Sequence, residues 1–87
     1  MFTVIVKRKI ARGLQRLPQS VQNRFLALVK DLEASGPSQP GWMNYSPLGG
    51  GRHHCHLGYH HAACWYHADG TITIEVYYVG SREGAPY

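Results

Sequence analysis

Pro18 constrains the fold of this chain more than any other residue. Before it, Ile10, Leu14 and Leu17 fall at i, i+4 and i+7, one apolar stripe on a helix. After it, Val21, Phe25, Leu28, Val29 and Leu32 form a second, longer stripe. A proline ring clashes with the turn before it, so it ends one helix, yet it fits the first turn of the next. Ser20 offers an alternative N-cap, and Gly36-Pro37 stops the second stripe. Two helices joined by so short a turn predict an antiparallel hairpin with one apolar side. The rest of the chain must cover that side.

A sheet is the expected cover. Phe2-Thr3-Val4-Ile5-Val6 is β-branched and apolar and reads as a strand. From Arg52 onward the period is two. Arg52 to Leu57 and His61 to His67 read as strands around a Gly58-Tyr59 turn, and Ala68-Asp69-Gly70 carries a hairpin signal. Thr71 to Val79 is then a third strand. Strict alternation puts Ile72, Ile74, Val76 and Tyr78 on one face, with Thr73, Glu75, Tyr77 and Val79 on the other. Ser35 to Gly51 reads as a loop anchored by Trp42, Met43 and Tyr45, with room for one short strand. The segment from Gly80 to Tyr87 reads as irregular. The expected fold is α+β in two layers: an N-terminal strand, a two-helix hairpin, then a three-stranded antiparallel meander. With 87 residues it forms a single domain, 1–87, with one modest core.

Charge narrows the function classes. No apolar run approaches the roughly 20 residues of a membrane span. Lys7-Arg8-Lys9 follows the apolar start instead of preceding it, the reverse of a secretory signal, so a cytoplasmic protein is expected. The net charge is +4 with histidines neutral, and seven cations, from Lys7 to Lys30, precede the first acid, Asp31. Arg8, Arg12 and Arg16 line up on one helix face. Such a row costs a few tenths of a kcal/mol per pair, a cost an anionic partner removes. RNA, DNA or an acidic protein fits this half, and a solvated helix face is the plainer reading.

Five of the six histidines lie between His53 and His61. Imidazole titrates near pH 6.5, so such a run serves proton transfer or metal ligation. Strand parity divides it. Arg52, His54 and His56 share one face, expected to be exposed, and Cys55 and Leu57 share the other, expected to be core. A zinc set could be drawn from Cys55, His56, Cys64 and His67, or with His60 and His61. The paired-ligand knuckle is absent and neighbouring ligands diverge, so no metal or other cofactor is expected, and both cysteines read as core filler. Gly49-Gly50-Gly51 lacks the Lys and the helix that would make it a phosphate loop.

Several segments carry a resemblance through their order. Leu17-Pro18 lies between the helices, and Leu48-Gly49 leads into a strand. His53 to His61 stands where a Tyr-Arg-x-Arg-x-Gly-x-x-Arg pattern would lie, and Val79-Gly80-Ser81-Arg82 and Tyr87 close the chain. In this the chain resembles the RelE/ParE superfamily, the toxins of type II toxin–antitoxin systems. His54, His56 and His61 replace arginines found in many members. The resemblance implies a toxin that inhibits translation as a ribosome-dependent mRNA endonuclease, cutting by 2′-hydroxyl attack without metal. The alternatives it allows are a ParE-like DNA gyrase inhibitor with no nuclease activity, or a non-catalytic binding module. A cognate antitoxin is the implied partner, beside the ribosome and mRNA. In the nuclease reading His54, His56 or His61 is the base, Arg82 steadies the phosphate, and Tyr87 stacks on a base or bonds the phosphate. Arg52, Arg8, Arg12 and Arg16 would contact the nucleic acid.

Overall fold

A computed structural model describes residues 1–87. Its elements are β1 (Thr3–Val6), α1 (Arg8–Gln15), α2 (Gln19–Ser35), β2 (Ser46–Gly49), β3 (Arg52–His56), β4 (His61–His67) and β5 (Thr73–Ser81). Pro18 is the N-cap of α2, with φ −53° and ψ 147°, and no side chain caps that end, so Ser20 lies inside the helix. Gly36 ends α2 at φ 94°, a left-handed conformation suited to glycine, while its N–H still bonds Leu32 O at 2.9 Å. No helix is long and apolar enough to cross a membrane.

The sheet is mixed and has five strands, in the order β1-β5-β4-β3-β2. β1 runs parallel to β5, and every other pair is antiparallel. The parallel pair follows from connectivity: two helices carry the chain away between β1 and the rest, and parallel pairing needs such a long crossover. The expected three-stranded meander is in fact four strands, because Ser46–Gly49 adds β2 at the edge. Pro47 is tolerated there because an edge strand leaves some N–H groups unpaired in any case.

The core lies between the helices and one sheet face. Val21, Phe25, Leu28 and Leu32 of α2 meet Cys55, Leu57, Ala63, Trp65, Ile74 and Val76, with Ile10, Leu14 and Leu17 packed around them. Three rings stack inside it: His53 lies 5.9 Å from Trp65 and Tyr45 lies 6.1 Å from Trp65. Tyr45 Oη and His53 Nδ1 share a 2.7 Å hydrogen bond. The loop after α2 is pinned rather than loose. Buried Gln39 donates to Gly36 O at 2.8 Å, and Trp42 Nε1 donates to Asp31 Oδ2 at 2.8 Å.

Strict alternation fails at one place on β5. Cys64 pairs with Tyr78 but Trp65 pairs with Val76, so Tyr77 is an extra residue in a bulge. Val79 therefore packs against the core with Ile74 and Val76, and Tyr78 joins Cys64 on the opposite face. β5 also runs on to Ser81, which pairs with His61, so the start of the supposedly irregular tail is strand.

Gly51 is constrained by its surroundings. It sits at φ 80°, and a Cβ there would lie 2.4 Å from His67 O. Gly51→Ala should cost at least about 1 kcal/mol, read as a lowered thermal midpoint.

Candidate active site

Alternation on β3 brings His54 and His56 together on the face away from the helices, with ring centroids 5.7 Å apart. His54 is held from two sides. Ser46 Oγ of β2 lies 3.1 Å from its Nδ1, and the Tyr87 ring lies 4.2 Å from its ring, tilted by 39°. Ser46 and Cys64 are its two cross-strand neighbours.

The C-terminal segment reaches this face through a series of short bonds. Arg82 N–H donates to His60 O at 2.9 Å, and Arg82 Nη1 donates to Tyr59 O at 2.6 Å. Gly84 N–H donates to Ser81 Oγ at 3.1 Å, and Tyr78 Oη donates to Ser81 O at 2.7 Å. Ala85 N–H donates to Arg82 O at 3.2 Å and Tyr87 N–H to Ala85 O at 2.9 Å. The segment thus turns back over the sheet. His54 and His56 keep only 8% and 7% of their surface, so the row expected to be exposed is covered, with the Tyr87 ring against His54. Arg52, on the same strand parity, does remain exposed.

Burial sets the protonation states. It lowers the pKa of His56, and the positive charges of Arg82 and then His54 lower it further. His56 is therefore neutral at pH 7 and able to accept a proton. Burial raises the pKa of Tyr87, with Cys64 adding to the shift and Arg82 opposing it, so its phenol keeps its proton. Burial also raises Tyr77, whose hydroxyl is shut from solvent beside the Cys64 thiol. Beside the pair, a cavity of about 570 Å³ opens among Tyr59, His60, Ser81, Arg82, Glu83 and Tyr87.

Not every residue singled out in the sequence comes here. Leu57 N–H bonds His61 O, and His56 pairs with Ala62, so His61 falls in the Leu57–Ala63 row on the helix side. Its face is opposite to that of His54 and His56. Arg8 and Arg12 are exposed on α1 and Arg16 at its C-cap, in the other layer. Cys55 and Cys64 face opposite sides of the sheet, and no three His, Cys, Asp or Glu side chains are placed to hold a metal ion. His67 instead shares a 2.8 Å bond with Thr71 O. Ser46 and Tyr78 were not legible as site residues. Ser46 lay in a stretch read as loop, and Tyr78 changes face through the bulge. Tyr59, His60 and Glu83 lie in segments whose sequence carries no periodicity.

Two solution measurements follow from this burial. The Cys55 thiol is pushed up to about 12 and Cys64 to about 11, both chiefly by desolvation. Thiolate is the reactive form, so a disulfide reagent at pH 8 should label neither until the protein unfolds. His53 is lowered by burial and then by His67, in the same direction as His56. Below the unfolded-state value near 6.5 the unfolded chain binds more protons than the folded one. Stability should therefore fall as pH drops through 6.5, and denaturant titrations at pH 7.5 and 5.5 read this directly.

No protein-family model matches the sequence, and no curated protein matches it significantly. Solved structures do. A RelE–RelB complex from the archaeon Pyrococcus horikoshii aligns at TM-score 0.75 and 18% identity, covering 97% of this chain and 98% of that one. A YoeB/ParE toxin from Agrobacterium tumefaciens aligns at 0.71 and 11% identity, covering 93% and 99%. A metal-bound toxin from Helicobacter pylori aligns at 0.69 and 20% identity, covering 95% and 97%. With near-complete coverage in both directions, this chain shares its fold with these RelE and YoeB/ParE-type toxin structures.

Proposed function

We propose that the chain is the toxin of a type II toxin–antitoxin pair and that it cleaves mRNA on the ribosome. One observation carries this reading: a neutral histidine, a permanent cation and a protonated phenol converge on one face. RNA cleavage through the 2′-hydroxyl needs these three kinds of group. His56 takes the hydroxyl proton. The freed oxygen attacks the adjacent phosphorus, and Arg82 steadies the charge that builds on the phosphoryl oxygens. The bond to the 5′-oxygen breaks, leaving a 2′,3′-cyclic phosphate. Tyr87 donates its hydrogen bond, and then its proton, to the departing oxygen. His54 positions the Tyr87 ring. No metal takes part in this scheme. His61 has no role in it, and Arg8, Arg12 and Arg16 offer a separate cationic surface for ribosomal RNA.

Two of the structural neighbours are complexes of a toxin with its antitoxin, RelE–RelB and YoeB–YefM. They support a cognate antitoxin as this chain's partner. The test is induced expression followed by mapping of mRNA 5′ ends, beside a supercoiling assay with purified gyrase. New ends in translated messages support the nuclease. Intact messages with inhibited gyrase would establish a ParE-like poison in its place.

The lowered His56 value also predicts a pH profile. Its base form persists below pH 6.5, so the acid limb of cleavage should lie below 6.5. A limb centred above 6.5 would assign the base elsewhere.

A further inference from the structure

The cavity beside Arg82 and Tyr87 contains groups that phosphodiester cleavage does not use. Tyr59 stands at its rim on the β3–β4 turn and is 82% exposed, an unusual position for a large ring with no core to fill. The turn that carries it is not loose, because Arg82 holds both Tyr59 O and His60 O. Glu83 is the one acid among the lining residues. It makes no ion pair, since the only one in the molecule joins Lys7 to Glu75. A free carboxylate repels phosphate, so the Glu83 end of the cavity does not suit the RNA backbone. It suits instead a neutral group rich in N–H donors.

We propose that this cavity is a nucleobase subsite, in which Tyr59 stacks on an unpaired base and Glu83 selects guanine. The inference rests on the RNA-cleaving reading above and supplies its base preference. Single-stranded RNA is recognised by stacking bases on aromatic rings and bonding their Watson–Crick edges. The guanine edge carries two adjacent donors, N1–H and the N2 amino group, which match the two oxygens of one carboxylate. Adenine, cytosine and uracil each offer a single donor position there. Paired charge-assisted bonds are the strong and directional kind. The volume of about 570 Å³ lies within the usual range for small-ligand pockets and leaves space for the base with its ribose.

The experiment titrates the purified protein with GMP, AMP, CMP and UMP separately, following backbone amides of Tyr59 and Glu83 by NMR. GMP should bind tightest, and Glu83→Gln should reduce the GMP-to-AMP affinity ratio by about tenfold, the effect of one lost bidentate pair. Tyr59→Ala should weaken all four, because stacking is indifferent to base identity. Equal binding of the four nucleotides, no binding at all, or an unchanged ratio in a folded Glu83→Gln variant would overturn the subsite. Mapping of cut ends in cells separates this from the parent reading. Cleavage with guanine enriched at a fixed position, and the enrichment lost in Glu83→Gln, supports both. Cleavage without base preference rejects the subsite and leaves the nuclease. Selective GMP binding without cleavage rejects the nuclease and leaves the subsite.

Discussion

His56→Ala should lower mRNA cleavage by about 10²–10⁴-fold, the usual contribution of a positioned proton-transfer group. The variant should remain folded, because the ring lies on the sheet face away from the main core. Its loss also removes a base that the fold already holds in the neutral form at some desolvation cost. The measurement is end mapping after induction, paired with a thermal melt of the purified variant. Arg82→Ala should give a defect of similar size, since the charge on the phosphoryl oxygens would go unanswered. Arg82→Lys keeps the charge but loses the planar fork that also grips Tyr59 O, so it should restore only part. The double variant His54→Ala with His56→Ala should abolish toxicity outright. Full toxicity from that double variant in folded form would remove the histidines from the reaction.

The largest stability effect is expected from Trp65→Ala, at about 3–5 kcal/mol. Trp65 has no exposed surface, and it is the largest fully buried side chain. It stacks with His53 and Tyr45, and its Nε1 donates to Pro37 O at 2.9 Å, so its loss would free the loop after α2 as well as open a cavity. Domains of this size hold only about 5–15 kcal/mol in total, so the variant should lose a large share of its folded population at 37 °C. Urea titration followed by circular dichroism checks this. A change under about 1 kcal/mol would mean that the ring stack contributes little beyond neighbouring packing.

The fold was legible where one period governed a whole segment. The stripes on either side of Pro18 gave both helices, and the alternation on β3 correctly set Cys55 and Leu57 against His54 and His56. Legibility stopped where a contact between distant segments decided the outcome. The β2 strand lies in a stretch rich in Gly, Pro and Ser, and only pairing with β3 makes it a strand. The bulge at Tyr77 cannot be seen in a strand read alone, since it is a mismatch of length against β4. The same holds for the site. The sequence pointed to His54 and His56 as a pair, but the Tyr87 ring against His54 depends on a tail folded by hydrogen bonds to the β3–β4 turn. The face of His61 depended on hairpin register, which the Gly58-Tyr59 turn did not specify.

The pairing of β1 with β5 also has a bearing on timing. Thr3 is matched with Thr73 and Val6 with Val76, so β1 finds its neighbour only once β5, some seventy residues later, has been made. Contacts so distant in sequence close late and slowly. Arg82 and Tyr87 follow β5 and emerge later still. On the cleavage reading proposed above, the face that carries His54, His56, Arg82 and Tyr87 is therefore completed only after β5 has been made.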